Sequence, residues 1–217
     1  MICKAVIFDL DGVVVTTDEL HYLAWKQLAN ELGIENFTKE DNVRQRGVSR
    51  MASLEVVLEK SIIKYTQKEK LELADRKNSI YVSSLASLSP ADILPGVEEF
   101  IAFLKERGIK TAIGSASKNT PMILEKIGLT EAFDAISCGL DTTKSKPDPE
   151  VFLIAAQKLG VDPAECLVVE DSDAGIAAAK AGGMFALAVG AAKNNTQADY
   201  CADSIGDLDY KCGEIQF

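Results

Sequence analysis

A short apolar segment followed by two aspartates constrains this chain more than any other feature. Ala5 to Phe8 are four apolar residues in a row, a pattern typical of a strand that is buried on both faces of an α/β sheet. Asp9 and Asp11 follow two residues apart, so their side chains face the same way in an extended chain. Because parallel sheets bind ligands at the carboxyl ends of their strands, the pattern predicts a functional site here. A turn or helix cap after a core strand is the structural alternative.

The chemistry of two neighbouring carboxylates narrows the kind of site. They repel each other, and one takes up a proton unless a cation lies between them. Mg²⁺ suits the position because it prefers one or two carboxylates together with waters and phosphate oxygens. A carboxylate can also attack phosphorus and form an aspartyl phosphate. If the pair is functional, we therefore expect Asp9 and Asp11 to serve metal binding and phosphoryl transfer.

Strand and helix patterns alternate along most of the chain. Further strands are expected at 109–114, 133–137, 166–169 and 185–189, with helical patterns between them. This alternation predicts an α/β fold with a doubly wound, Rossmann-like, mostly parallel sheet.

One long segment interrupts that alternation. Residues 16–90 show helical signals and no convincing strand, so we expect an all-helical cap inserted into a core of residues 1–15 and 91–217. Both connections of the insert begin close to the Asp9 end of the sheet. A cap tethered there can open and close over the site and exclude water.

Composition limits the partners and the compartment. The net charge of −10 argues against nucleic acid or an anionic membrane surface as the main partner. The five cysteines include no CxxC pair, which indicates reduced thiols in a cytoplasmic protein. We identify no signal peptide and no apolar run long enough to span a bilayer. We expect a monomer, since a two-domain chain of this size can work alone.

Three later strand ends add polar groups to the same edge of the sheet. Ser115 to Asn119 follow the strand at 109–114, and their hydroxyl and backbone N–H groups can hold a phosphate. Lys146 lies between Ser145 and Pro147 in a restricted loop. Glu170-Asp171 follow a buried strand and are candidate metal ligands. Each has a structural alternative: a helix N-cap, an exposed lysine in a turn, or acids favoured by a helix dipole.

The order Asp-x-Asp, Ser, Lys, Glu-Asp, each after a strand, resembles the haloacid dehalogenase superfamily. Its members are largely Mg²⁺-dependent phosphotransferases and phosphatases. The insert adds a second resemblance, to the sugar-phosphate mutases of that superfamily. It is carried by His21 with Trp25, by Gly47-Val48-Ser49-Arg50 and by Arg76-Lys77-Asn78.

The resemblance implies roles for the residues of the core. Asp9 would be the nucleophile, and Asp11 would give and take the proton of a sugar hydroxyl. Ser115 and Lys146 would bind the transferring phosphoryl group. Mg²⁺ would be held by the Asp9 carboxylate, the Asp11 backbone carbonyl, Glu170 and Asp171.

The resemblance also implies roles in the cap. Arg50 with the backbone of residues 47–49 would grip the non-transferring phosphate, and His21 would pair with Lys77. Thr17 matches a hinge threonine, whereas Thr16 stands where many relatives carry an acid. The implied substrate-binding set is Trp25, Gly47, Val48, Ser49, Arg50, Lys77, Ala116, Ser117, Lys118 and Asn119.

The function implied is a mutase that interconverts β-D-glucose 1-phosphate and D-glucose 6-phosphate. It would work through a phospho-aspartyl enzyme and β-glucose 1,6-bisphosphate. A Mg²⁺-dependent sugar-phosphate phosphatase is the alternative, because the same core residues serve both reactions. A binding module that responds to aspartate phosphorylation is a third possibility, although such modules lack an inserted cap.

Overall fold

A computed structural model describes residues 3–209 of the chain. Its strands are β1 (Ala5–Phe8), β2 (Lys110–Gly114), β3 (Ala135–Ser137), β4 (Cys166–Glu170), β5 (Phe185–Ala188) and β6 (Tyr200–Cys201). They form one sheet in the order β3-β2-β1-β4-β5-β6, and each neighbouring pair is parallel. The predicted α/β class with a parallel sheet is confirmed.

Helices cover both faces of this sheet. Successive residues of β1 point to opposite faces: Val6 and Phe8 belong to one apolar cluster, and Ala5 and Ile7 belong to another. The first cluster includes side chains of α5 and α6, and the second includes those of α7 and α8. The bounds of these helices are α5 (Val97–Glu106), α6 (Thr120–Ile127), α7 (Glu150–Leu159) and α8 (Asp173–Ala181).

The strand order places several loops at one end of β1. Strand β1 lies between β2 and β4, with Phe8 in register with Ile113 and with Val169. The chain passes to one side of β1 for β2 and β3 and to the other for β4 to β6, so β1 lies where the direction of winding reverses. Ligands of doubly wound sheets bind at such a point. The residues that follow β1, β2 and β4 therefore meet at one edge.

The segment between β1 and α5 contains helices and no described strand, as predicted. Its helices enclose an apolar cluster of their own around Trp25, Leu28 and Phe37. The two connections run side by side, with the Leu94 amide donating to the Val14 carbonyl at 2.9 Å. The domain limits at 16 and 90 stay a prediction. The helices are α1 (Asp18–Glu31), α2 (Lys39–Val43), α3 (Arg50–Leu58) and α4 (Gln67–Ser84), followed by 3-10 turns at Leu85–Ser87 and Pro90–Asp92.

Sequence reasoning missed strand β6, whose two residues are too few to show an alternating pattern. In the part of the chain from residue 3 to residue 209, no helix is both long and apolar enough to cross a bilayer. The cysteines in that part are free thiols, whereas Cys212 lies outside the described residues.

Candidate active site

Three carboxylates meet at the carboxyl end of the sheet. Asp9 follows β1, Glu170 ends β4 and Asp171 follows it; each offers an oxygen, and the three atoms lie within 4.8 Å of one another. The backbone N–H and the hydroxyl of Ser172 donate to Glu170 Oε1 at 3.1 and 2.7 Å, which fixes that side chain. Gly175 leaves room for it, since a Cβ there would lie 2.0 Å from the Glu170 carboxyl carbon.

Lys146 supplies the positive charge in this cluster. Its Nζ donates to Asp9 Oδ1 at 2.6 Å and to Glu170 Oε2 at 2.7 Å, and its side chain is fully buried. Although burial opposes the charged form, the two carboxylates together raise the pKa of Lys146 above its ordinary value. The lysine therefore stays charged and binds one oxygen of Asp9.

One lysine does not balance three acids, of which Asp9 and Glu170 are buried and Asp171 is half-buried. Burial and the charge of Glu170 raise the pKa of Asp9 well above its usual range, and the same two causes raise the pKa of Asp171 to about 7. A further cation would relieve this repulsion. Oxygen donors so close together match what a hard divalent ion requires, so the cluster fits such an ion.

Asp11 is held apart from that cluster. The hydroxyl of Thr17, itself buried, donates a short hydrogen bond to Asp11 Oδ1. Burial raises the pKa of the Asp11 carboxyl, although the Thr17 hydrogen bond opposes this rise. An aspartate that protonates more readily than usual and lies beside the cavity is suited to giving and taking protons.

The loop after β2 forms a tight polar turn. Buried Ser115 accepts a hydrogen bond from the Ser117 amide at 3.1 Å, and Ser117 accepts one from the Asn119 amide at 3.2 Å. Asn119 also reaches the insert, because its Nδ2 donates to Asn78 Oδ1 at 3.0 Å. This hydrogen bond joins the α/β core to α4 across the cavity.

The insert presents a different kind of surface to the cavity. Lys77 Nζ lies 2.8 Å from His21 Nδ1, as the resemblance implied. Burial and nearby Arg50 lower the pKa of Lys77 to about 7. Burial and the charge of Lys77 also lower the pKa of His21 well below its ordinary value. The histidine is therefore neutral near pH 7 and can accept a hydrogen bond from the lysine.

The loop before α3 contacts the core beside the acidic cluster. Gly47 has φ of +70°, and a Cβ there would lie 2.5 Å from the hydroxyl oxygen of Ser172. Only glycine suits both the backbone conformation and the close approach. Ser49 then caps α3, and half-buried Arg50 at its first turn has an Asp75 oxygen 3.7 Å from Nη1.

One cavity of about 580 Å³ lies between the core and the insert. Every predicted site residue lines it except Glu170, which lies behind Lys146. The individual roles of these residues remain predictions. Those on the wall are Asp9, Asp11, Thr17, His21, Trp25, Gly47, Val48, Ser49, Arg50, Lys77, Ser115, Ala116, Ser117, Lys118, Asn119, Lys146 and Asp171.

Sequence reasoning missed two features of this wall. Arg46 Nη2 donates to Asp18 Oδ2 at 2.6 Å, and Asn42 Nδ2 donates to Asp18 Oδ1 at 3.0 Å, which ties the start of α1 to the Gly47 loop. Thr16 is exposed, whereas Asp18 at the start of α1 makes these contacts within the insert. Tyr81 of α4 also lines the cavity. No local motif marks either feature.

Comparison with known proteins agrees with this geometry. The haloacid dehalogenase-like hydrolase family matches residues 3–183. The chain belongs to that family. Within it, the chain is 44% identical to the beta-phosphoglucomutase of Bacillus subtilis (strain 168) over 207 residues, which cover 94% of this chain and 91% of that protein.

The chain is also similar to two further proteins. The crystal structure of a beta-phosphoglucomutase from Clostridium difficile superimposes with a TM-score of 0.91 at 37% identity, covering 97% of this chain and 95% of that one. A phosphorylated carbohydrates phosphatase of Thermotoga maritima is 30% identical, over 83% of this chain and 82% of that protein. The similarity to the mutases therefore extends through the helical insert.

Proposed function

We propose that this chain is a mutase that interconverts β-D-glucose 1-phosphate and D-glucose 6-phosphate. The 44% identity to a beta-phosphoglucomutase over nearly the whole chain favours this reaction over a phosphatase. The observation that carries the proposal is a single cavity with an acidic end that contains a buried lysine and an opposite end that is cationic. Lys146 and the three acids form the core end, and Arg50 and Lys77 form the end in the insert.

In the first half of the reaction, Asp9 is the nucleophile. Lys146 binds Oδ1, and the other oxygen of Asp9 attacks the phosphorus on C1 of β-glucose 1,6-bisphosphate. The P–O bond to the sugar breaks, and Asp11 gives its proton to the departing sugar oxygen. The products are phospho-Asp9 and glucose 6-phosphate, whose C1 hydroxyl is free.

In the second half, the 6-hydroxyl of an incoming β-glucose 1-phosphate attacks phospho-Asp9, and Asp11 takes the proton of that hydroxyl. The product is β-glucose 1,6-bisphosphate, which turns within the cavity to present its other phosphate to Asp9. Ser115 and Lys146 hold the phosphoryl oxygens while the bond to Asp9 breaks. Catalysis then consists of positioning and charge neutralisation, as is usual in phosphoryl transfer.

We assign Mg²⁺ to the acidic cluster. Asp9, Glu170, Asp171 and the backbone carbonyl of Asp11 would hold it, because these are hard oxygen donors beside a phosphate-binding loop. When bound, it neutralises charge that develops on the transferring phosphoryl oxygens.

The insert decides between a mutase and a phosphatase. Arg50 with residues 47–49 grips the phosphate that is not being transferred, and Ser117, Lys118 and Asn119 bind it from the core. Closing the cavity in this way excludes water, which would otherwise hydrolyse phospho-Asp9. We further propose that residues 16–90 form this cap, and that the protein acts on sugar phosphates as a cytoplasmic monomer, without nucleic acid or membrane.

A product assay tests the proposal. The enzyme is supplied with Mg²⁺, β-glucose 1-phosphate and a trace of β-glucose 1,6-bisphosphate, and both glucose 6-phosphate and free phosphate are measured. We expect glucose 6-phosphate with little free phosphate. Stoichiometric release of phosphate without the isomer would overturn the mutase in favour of the phosphatase. Asp9→Asn is the control and should yield neither product.

A further inference from the structure

Lys77 is a buried cation with an unusual set of neighbours. Its residue is 3% exposed, yet within residues 3–209 it forms no ion pair with a carboxylate. A buried charge normally requires a paired group, because transfer out of water disfavours it strongly. The charge of Asp11 favours the charged lysine from beyond ion-pair distance, so the groups in direct contact with Lys77 are not acids.

Two aromatic rings contact the Lys77 ammonium. Lys77 Nζ lies 4.6 Å from the ring centre of Trp25 and 4.7 Å from the ring centre of Tyr81. Both distances fall within the range of cation–π attraction, which is strongest at desolvated sites. The two rings form an aromatic cage, defined here by Trp25 and Tyr81, around the lysine.

Tyr81 also fixes the histidine partner of Lys77. Its ring stacks on the ring of His21 with centroids 4.0 Å apart and planes inclined by 29°. Tyr81 is completely buried, and its hydroxyl lies near Thr17. The contacts of Tyr81 with Lys77 and with His21 are made by its ring.

We propose that Tyr81 is a positioning residue, which with Trp25 cages the Lys77 ammonium against His21 and directs its free N–H donors at the sugar. An ammonium has three donors, and His21 uses one of them. A carboxylate partner would occupy more donors and neutralise the charge, whereas aromatic faces do neither. The cage thus keeps the cation available to the substrate. This inference rests on the proposed function for the identity of the sugar phosphate.

A double-mutant cycle tests whether Tyr81 acts through Lys77. Tyr81→Leu, Lys77→Met and the double variant are made in an Asp9→Asn background, where β-glucose 1-phosphate binds without reacting. Calorimetry then gives the dissociation constants. We expect Tyr81→Leu to weaken binding by about tenfold or more when Lys77 is present, and by no more than about twofold in the Lys77→Met background. Tyr81→Phe should restore most of the lost affinity.

A second measurement separates positioning from damage to the fold. With Asp9 intact, acetyl phosphate is used as a phosphoryl donor that needs no contact to sugar, and Tyr81→Leu should still be phosphorylated on Asp9. Loss of this phosphorylation would show damage to the fold and overturn the proposal. Equal losses of affinity in both Lys77 backgrounds would overturn the proposal in favour of plain packing. A Tyr81→Phe variant as weak as Tyr81→Leu would assign the effect to the hydroxyl and also overturn it.

The outcomes of these experiments distinguish failure of this inference from failure of the proposed function. Release of phosphate without glucose 6-phosphate by the wild-type enzyme overturns the mutase alone. The cycle is then read from KM and kcat for whichever sugar phosphate the wild type hydrolyses. Coupling between Tyr81 and Lys77 in that reaction supports the cage, and independent effects contradict it.

Discussion

Two buried lysines on opposite walls of one cavity are held by opposite means. In the core, Lys146 bridges two carboxylates, which raise its pKa. In the insert, Lys77 lies between two aromatic rings and a neutral histidine, and its pKa is lowered to about 7. The core lysine is permanently charged and already engaged. The lysine of the insert keeps donors free for a substrate.

From this difference we infer that the two walls of the cavity have different roles. In the proposed reaction, the fixed charges of the core act on the phosphoryl group, whichever molecule brings it. The insert holds a cation whose charge depends on pH and on what enters the cavity. Changes to the core should therefore slow phosphoryl transfer to and from Asp9. Changes to the insert should alter whether phospho-Asp9 passes its phosphoryl group to a sugar or to water.

The largest effect should come from removing the core lysine. In Lys146→Ala, Asp9 and Glu170 remain buried without their common cation. We expect phosphorylation of Asp9 to slow by about 10²- to 10³-fold, as for loss of one donor to a developing oxyanion. The free energy of unfolding should fall by about 3–5 kcal/mol, as when one partner of a buried ion pair is removed.

Rapid-quench kinetics and urea unfolding measure these two quantities. Lys193→Ala is the matched control, because Lys193 pairs with Asp203 at the surface, and neither quantity should change. A Lys146→Ala enzyme that phosphorylates Asp9 at more than a tenth of the wild-type rate would contradict the role assigned to Lys146.

Asp11→Asn should have the next largest effect. An amide cannot give and take the proton of the sugar hydroxyl, so kcat should fall by at least about 10²-fold. Thr17 can still donate to the side-chain oxygen, so the dissociation constant for the sugar phosphate should change little. Steady-state kinetics and calorimetry measure the two effects. A large loss of binding with little change in kcat would contradict the assigned role.

The core should control the acidic side of the pH profile. Burial and Glu170 raise the pKa of Asp171 to about 7, so without a metal this carboxyl carries a proton below that pH. Divalent-metal binding must displace the proton, and the apparent Mg²⁺ affinity should fall about tenfold per pH unit below 7. Mg²⁺ titrations from pH 5 to 8 measure this dependence. An affinity independent of pH in that range would contradict it.

The insert should control the alkaline side. Because burial lowers the pKa of Lys77 to about 7, the substrate-free lysine loses its charge as the pH rises above that value. KM for the sugar phosphate should therefore rise by up to about tenfold per unit above pH 7, while Asp9 phosphorylation by acetyl phosphate stays constant. In Lys77→Met this dependence of KM should disappear. Its persistence would assign it to another group.

The smallest effect should come from the hydrogen bond between the two walls. Asn78→Ala removes the bond to Asn119, which is worth about 0.5–1.5 kcal/mol. The closed form should be less populated, and hydrolysis of phospho-Asp9 should rise a few-fold. Phosphate release from labelled enzyme measures it, with Asn30→Ala on the exposed side of α1 as the control. An unchanged rate would show that this bond does not hold the cavity closed.

The two walls also differ in how far the sequence predicts them. In the core, Asp9 and Glu170 lie at the ends of apolar strands, Lys146 lies in the loop after β3, and parallel strands bring their carboxyl ends to one edge. Asp9, Lys146 and Glu170 could therefore be placed together from the sequence. The parallel α/β fold followed from the same alternation and is confirmed.

No comparable rule predicts which residues of the insert meet at the cavity wall. His21 and Lys77 lie 56 residues apart on two helices, and helical periodicity tells only which faces are apolar. Their pairing was expected from resemblance alone. In the sequence, Tyr81 cannot be told apart from the other apolar positions of α4. The contact of Asp18 with Arg46 joins segments 28 residues apart. Packing between helices decides these contacts, and no local pattern encodes it.

The fate of phospho-Asp9 tests the division of labour most directly. Enzyme labelled with ³²P at Asp9 is mixed with Mg²⁺, with or without β-glucose 1-phosphate, and the label is followed into sugar and into free phosphate. We predict that the sugar phosphate discharges the label much faster than buffer alone, and that the label appears in glucose bisphosphate and glucose 6-phosphate. Label released as free phosphate at the same rate in both mixtures would contradict the account.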